Sequence, residues 1–436
     1  MSSLTTMDVD NISTNHSMYF NNSAAISHFA AATLPKAPMY RPVHNILTSL
    51  KHNSTKKKKP SHFAITMDIN LSKALLTVGL VPNNNIIGYD PTTLQPTQHF
   101  KIKGPNLIRQ IKYSPVQNDI LSAVGKGGMY LYDVRAGNFG NTELTEQQKK
   151  QQHVNVHSSH CLAFGLGGNL IANGMENGWI NFYDIRNYTK ILGQYKDAHN
   201  DAVLSLKFDT NDPTKLYTTS ADGTASFYDV SAQNEDDAFI MCYNANCDIV
   251  HAIPFKYNNN IEYVVLITSV NTVSIWNVQD GECIVQYNQF PGVDYLLANG
   301  YYDRTLEQIV LFGGAFTTHN IIQVSISLNV NGAATTNNFN GPMERVSIDC
   351  IYTDSHYGLV RDICVVTETN HGQFYSCGED ALITHWRQDM KYSMKHKRSN
   401  LKRKGVSIIE QSQNSSSQSS HRGDGRLGGA TSRRKW

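Results

Sequence analysis

A histidine, a serine and an aspartate stand close together in one stretch of this 436-residue chain: His199, Ser220 and Asp222. These residue types are those of a general base, a nucleophile and an orienting carboxylate, the set that carries out acyl transfer when the base reaches the hydroxyl. They are equally the parts of a buried polar network that fixes a piece of sheet, and the surrounding pattern favours that use. Phosphate chemistry has two candidates in the glycine runs at 125–128 (GKGG) and 165–168 (GLGG). No helical period follows either, so no helix N-terminus stands behind the glycines and both read as β-turns. The seven cysteines are scattered, odd in number and without a CxxC pair, which argues against a zinc site and for a reducing compartment. Most fall in expected strands as small buried hydrophobes. With no GxxxxGK(S/T), HExxH or GxSxG run, the sequence assigns no catalytic residue, metal or cofactor, and the chain is not expected to be an enzyme.

The elements that position the first three residues are short strands. In 202–208, Leu204, Leu206 and Phe208 share one face while Ser205 and Lys207 take the other, the alternation of a half-buried strand. Residues 211–213 (NDP) turn the chain, 216–220 form a second strand, Asp222-Gly223 supplies a tight hairpin, and 225–230 return as a third. The unit ends on an aromatic, Tyr228. The same ending recurs at Tyr89, Tyr132, Tyr183, Trp276, Val324 and Trp386, with spacings of 43, 51, 45, 48, 48 and 62 along the series. A repeat near 40–45 residues built of four short strands marks a ring of four-stranded blades. Val324 is the weakest member, lacking the aromatic and the Asp-Gly turn; its blade rests on spacing and on a strand over 308–312.

The stretch 198–230 resembles a WD repeat, the unit of the WD-repeat β-propeller family. In that family a histidine before the first strand, a hydroxyl at the end of the second, an aspartate in the turn and an aromatic in the third strand form one network. His199, Ser220, Asp222 and Tyr228 match those places, and His356, Asp380 and Trp386 match again near the end, where Gly378 takes the hydroxyl's place and leaves that network incomplete. In 157–186, His157 or His160 is expected to serve as the network histidine. The continuation NEDDA (234–238) and the ending SCGEDALITHW are similar to one narrower family of such propellers. The expected fold is therefore all-β, a seven-bladed WD-repeat β-propeller with disordered N- and C-terminal extensions.

Taken in order, 1–39 is rich in Asn, Ser, Thr and Ala and is expected to be disordered; Asp8 and Asp10, with no arginine before Arg41, argue against a mitochondrial leader. The propeller is assigned to 40–388. A strand over 43–50 is expected to complete the last blade, since a closed ring must hide its edge. A basic loop at 51–59, a polar insertion at 141–153 and an Asn-rich loop at 329–340 interrupt the repeats. A disordered basic tail is assigned to 389–436. No run approaches the ~18 apolar residues of a membrane span.

Charge divides the chain. Residues 60–389 hold 19 Lys and Arg against 32 Asp and Glu, whereas 390–436 hold 12 against 2, so the overall +2 conceals an acidic propeller with basic extensions. An acidic disc suits basic protein partners and is a poor non-specific binder of nucleic acid, a role left to the tails. In the tail, Lys397, Arg398, Lys402, Arg403 and Lys404 read as a nuclear-import signal or, alternatively, as a solubilising segment. Asp133 with Arg135 and Asp184 with Arg186 follow aromatics as YDVR and YDIR. They are similar to the box by which substrate receptors of cullin-4 ubiquitin ligases contact their adaptor, and equally to a local ion pair. The sequence points to a non-catalytic, monomeric interaction scaffold in the nucleus. Its alternatives are a ubiquitin-ligase substrate receptor and an RNA-associated or ribosome-assembly factor.

Overall fold

The computed structural model describes residues 39–40, 44–47, 62–101, 107–134, 158–188, 190–257, 261–297, 299–328, 346–366 and 373–387. The expectations for 1–38, for the basic runs at 51–59 and 397–404, and for the insertions at 141–153 and 329–340 lie outside them. Two short strands come first, β1 (Met39–Tyr40) and β2 (His44–Leu47). Blade one is β3 (Phe63–Asn70), β4 (Leu75–Val81), β5 (Asn85–Tyr89) and β6 (Pro96–Lys101); blade two is β7 (Ile108–Tyr113), β8 (Ile120–Gly125) and β9 (Gly128–Asp133). Blade three follows with β10 (Ser159–Gly165), β11 (Leu170–Met175), β12 (Ile180–Asp184) and β13 (Ile191–Tyr195). Blade four comprises β14 (Val203–Phe208), β15 (Lys215–Ser220), β16 (Thr224–Asp229) and β17 (Phe239–Asn244). Blade five comprises β18 (Ile249–Tyr257), β19 (Ile261–Thr268), β20 (Val273–Asn277) and β21 (Cys283–Tyr287).

Blade six has a first strand split into β22 (Tyr295–Leu296) and β23 (Tyr301–Asp303), then β24 (Gln308–Gly314), β25 (Ile321–Ser327) and β26 (Val346–Tyr352). Val324 is fully buried in β25, where the weakest repeat placed it. Blade seven is β27 (Val360–Val365), β28 (Gln373–Gly378) and β29 (Leu382–Arg387), completed by β2, which runs antiparallel to β29 with His44 opposite His385 and Leu47 opposite Leu382. The expected closing strand is therefore present, its described part lying within the 43–50 assigned to it. The sequence did not suggest its companion: β1 adds to β26 in parallel, so the chain start closes blade seven and also extends blade six. Both contacts satisfy backbone groups that an open edge would leave unpaired.

The blades form because their middle strands are buried on both faces. β4, LLTVGLV, is buried at every position, and each of the seven apolar clusters among the described residues lies between consecutive blades. One of them joins blade seven to blade one through Cys377, Ile383, Leu76 and Val78, which closes the ring. Six first strands share an irregularity: their pairing slips by one residue just before Thr66, Gln110, Cys161, Ser205, His251 and Asp362. Such a bulge tightens twist and re-aims the side chain that follows it. The cysteines divide: Cys161, Cys350, Cys364 and Cys377 are buried, but Cys242 and Cys283 are exposed, because they lie on outermost strands with one face toward water.

Candidate functional site

Blade seven carries the histidine network in full. The Trp386 indole Nε1 donates to Ser376 Oγ at 2.8 Å, Ser376 Oγ lies 2.7 Å from His356 Nε2, and His356 Nδ1 lies 2.9 Å from Asp380 Oδ2. Asp380 also accepts the backbone N–H groups of Tyr357 and Leu382. With the indole able only to donate, the protons run one way: indole to serine, serine to histidine Nε2, histidine Nδ1 to carboxylate. This is the connectivity of an acyl-transfer triad, yet Ser376 and Trp386 are both 0% exposed, so no substrate carbonyl reaches the hydroxyl. The chain of bonds ties the loop before β27 to the β28–β29 hairpin. The expectation of an incomplete network at Gly378 is corrected: the hydroxyl comes from Ser376, two residues earlier on the same face of β28.

Blade four needs the same correction. His199 Nε2 lies 2.8 Å from Thr218 Oγ1 and its Nδ1 2.9 Å from Thr224 Oγ1, with Asp222 Oδ2 at 3.4 Å. Ser220, expected in the network, instead donates to the Asp201 carbonyl and accepts from the Asp222 N–H. Tyr228 does not join it either: its hydroxyl bonds Ser226 on its own strand, while its ring packs 5.0 Å from Tyr195 and 5.8 Å from Phe239. Burial opposes the ionisation of Asp222, but bonds from His199, from the Thr224 hydroxyl and from the Asn200 and Thr224 N–H groups hold its carboxyl well below the usual range. In blade three, Asn173 holds the place of Thr218 and donates to Ser159 Oγ at 3.0 Å. His160 is not its partner; it stands near Arg109 and Glu176, pushed down to about 4 by burial and by that arginine. His157 lies outside the described residues.

Sequence reasoning missed a belt around the central channel. First strands touch in turn from blade seven through blades one to five and on to blade six, and the side chains placed just after five of the six bulges reach across to the next blade. Asp362 accepts the Met67 N–H at 2.7 Å, Thr66 accepts that of Ile111 at 3.3 Å, and Gln110 accepts that of Leu162 at 2.8 Å. Cys161 donates to the Val203 carbonyl, and Ser205 Oγ lies 3.1 Å from His251 Nδ1. From blade six, Asn299 donates to Asp362 and to the Ile363 carbonyl. Two residues deeper, Asp68 accepts the Tyr113 N–H at 2.6 Å. The belt gives partners to inner-edge N–H groups that a terminal strand leaves bare. Burial pushes Asp362 up to about 6, against Lys112, which lowers it.

The adaptor-like motifs are placed unevenly. Arg135 lies outside the described residues, and Asp133 ends β9. Arg186 folds back on Asp184, with Nη2–Oδ2 at 2.5 Å and Nε–Oδ1 at 2.9 Å, and that guanidinium holds Asp184 down to about 2. This is the local ion pair, made on a largely exposed side chain. Among the described residues no cluster of ligating side chains could hold a metal, and no helix is long and apolar enough to cross a membrane.

Comparison with known proteins adds what geometry does not. Residues 93–297 match the family described as Nucleolar protein 10-like, N-terminal domain. The WD repeat-containing protein 89 homolog of Dictyostelium discoideum is 24% identical over 246 residues, 51% of this chain and 63% of that protein. U3 small nucleolar RNA-associated protein 12 of Saccharomyces cerevisiae is 26% identical over 180 residues, 38% of this chain and 17% of that protein. WD repeat-containing protein GTS1 of Arabidopsis thaliana is 31% identical over 133 residues, 30% of this chain and 33% of that protein. The chain thus spans less than two thirds of each of these relatives. A chain in the crystal structure of the mitotic checkpoint complex superposes with a TM-score of 0.55 at 14% identity, covering 79% of this chain and 98% of that one, a likeness of fold alone. Seven blades, two of them with buried histidine–aspartate–hydroxyl networks, give the chain the fold of a WD-repeat β-propeller, and in sequence it is similar to the WD repeat-containing protein 89 homolog.

Proposed function

We propose that this propeller is a non-catalytic scaffold that binds other proteins in the nucleus, and that its assemblies are RNA-associated. The observation that carries this reading is the match of residues 93–297 to a domain described as nucleolar, joined by a relative named for association with U3 small nucleolar RNA. The charge division supports it: an acidic ring attracts basic protein segments, and the basic tail, with Lys397, Arg398, Lys402, Arg403 and Lys404, suits an import receptor or RNA phosphate. A ubiquitin-ligase role gains less, because Arg186 already spends its guanidinium on Asp184.

The test images a tagged full-length chain beside one ending at residue 389, then captures partners from nuclear extract with and without nuclease. A full-length chain that enters the nucleus, a truncation that does not, and partners released by nuclease or by high salt support the proposal. Cytoplasmic full-length chain overturns it. Adaptor capture abolished by R135A with R186A would move the reading to the ligase.

A further inference from the structure

The two sides of the channel balance charge differently. At the level below the bulges, Asp68 of blade one, Lys112 of blade two and Lys207 of blade four hold equivalent positions on their first strands, opposite Thr77, Ser122 and Tyr217 of the second strands. Lys112 is served by two carboxylates, Asp68 and Asp362, whose attraction outweighs the cost of its burial. Lys207 has no such support. Enclosed by the ring yet wetted along its axis, it feels burial and the repulsion of Lys112, and no carboxylate among the described residues acts on it. Its neighbour on the next first strand is His251, whose Nδ1 lies 3.1 Å from Ser205 Oγ, and Ser205 shares a strand face with Lys207. A lysine, an imidazole and a hydroxyl thus converge on one wall, with a second lysine near.

From this juxtaposition we propose that the channel wall formed by Lys207, His251 and Ser205 is a binding site for a small oxyanion of the phosphate class. An enclosed ammonium without a counter-ion is costly, and a bound anion removes that cost while accepting the ammonium and hydroxyl protons. Free phosphate and a carboxylate offer the same chemistry, so the two are separate arms of the test.

Thermal unfolding of the full chain is followed at pH 7 while inorganic phosphate, or acetate, replaces chloride at constant ionic strength. The expected result is a midpoint that rises with phosphate, because an anion bound only by the folded state stabilises it by mass action. In K207M the anion-free midpoint rises, since the uncompensated charge is gone, and apparent phosphate affinity falls at least tenfold. H251Q weakens binding less, and K73M, whose lysine pairs with Asp119 at the surface, binds as the parent does. Raising the pH through about 8, where Lys207 loses its proton, weakens binding in the parent and leaves K207M unchanged. Over that range His251 stays neutral and Lys112 and Cys364 stay protonated, because burial and neighbours move each of them away from it, while Asp362, which burial lifts to about 6, titrates below it; burial also raises Asp68, against the pull of Lys112. A response to acetate as strong as to phosphate names carboxylates as the source; a response to phosphate alone names phosphate. An unshifted parent, or equal shifts in the parent and K207M, overturns the site.

Discussion

Blades four and seven hold the same four positions and close them differently. In blade seven the indole of Trp386 crosses to the second strand and donates to Ser376, so the serine is free to give its proton to His356. In blade four the phenol of Tyr228 stays on its own strand with Ser226, Thr218 donates to the Ser226 carbonyl, and Thr224 is recruited beside His199. Trp276 of blade five behaves as Tyr228 does, bonding Ser274 two residues before it, because no hydroxyl stands on the second strand at Leu266. What makes a complete network is therefore a hydroxyl and a donor at matching register, and an aromatic ring alone does not suffice. Blade seven is also the blade that closes the ring, through β2 and through the cluster shared with blade one.

The largest effect expected from this contrast is on the two aspartates. Asp380 is 1% exposed and accepts bonds from His356 and two backbone N–H groups, so Asp380→Ala should lower stability by about 3 kcal/mol or more, because it strands three donors at roughly 1–3 kcal/mol each. Asp222 is less enclosed and its histidine keeps Thr218 and Thr224, so Asp222→Ala should cost about 1–3 kcal/mol. Urea midpoints of the two variants measure this, and equal losses would break the contrast. Next in size is Trp386→Phe, which removes the donor and leaves a gap in the cluster of Tyr352 and Phe374, at about 1–3 kcal/mol.

Much of this fold was legible because its period is written in the sequence. The recurring end of the third strand, aromatic in every blade but six, where Val324 stands, counted the blades. The hydroxyl was misplaced by two in both networks for one reason: in a strand, residues two apart face the same way, so alternation alone cannot choose between Thr218 and Ser220 or between Ser376 and Gly378. Only the cross-strand register, Thr218 opposite Ser226 and Ser376 opposite Thr384, decides it. The belt was illegible for a different reason. Its members are Thr66, Gln110, Cys161, Ser205, His251 and Asp362, chemically unlike and each in a different repeat, united by a bulge that leaves no composition of its own. Likewise, the contrast between Lys112 and Lys207 depends on which carboxylates stand across the channel.

The register argument itself is open to a smaller test. Thr218→Val keeps shape but strands His199 Nε2 and the Ser226 carbonyl, whereas Ser220→Ala releases only a turn N–H and the Asp201 carbonyl. The expected losses are about 2 and about 1 kcal/mol in urea unfolding, and the reverse order would restore Ser220 to the network.

The smallest effect should come from Tyr228→Phe. Its hydroxyl reaches a serine on its own strand, a local bond that holds no two strands together, and the ring contacts with Tyr195 and Phe239 survive the change. The loss should stay near 0.5 kcal/mol, roughly the floor for one hydrogen bond between neutral groups. Tyr228→Trp then sharpens the comparison. Thr218 lies ten residues before this position, as Ser376 lies ten before Trp386, so an indole placed there meets a hydroxyl at the same register. A gain of about 0.5–1 kcal/mol, with loss of that gain in the Thr218→Val background, would show that one donor separates the two blades. An indole that gains nothing would mean that Thr218 is already committed to the Ser226 carbonyl and His199, and that the two networks differ in the direction of their protons.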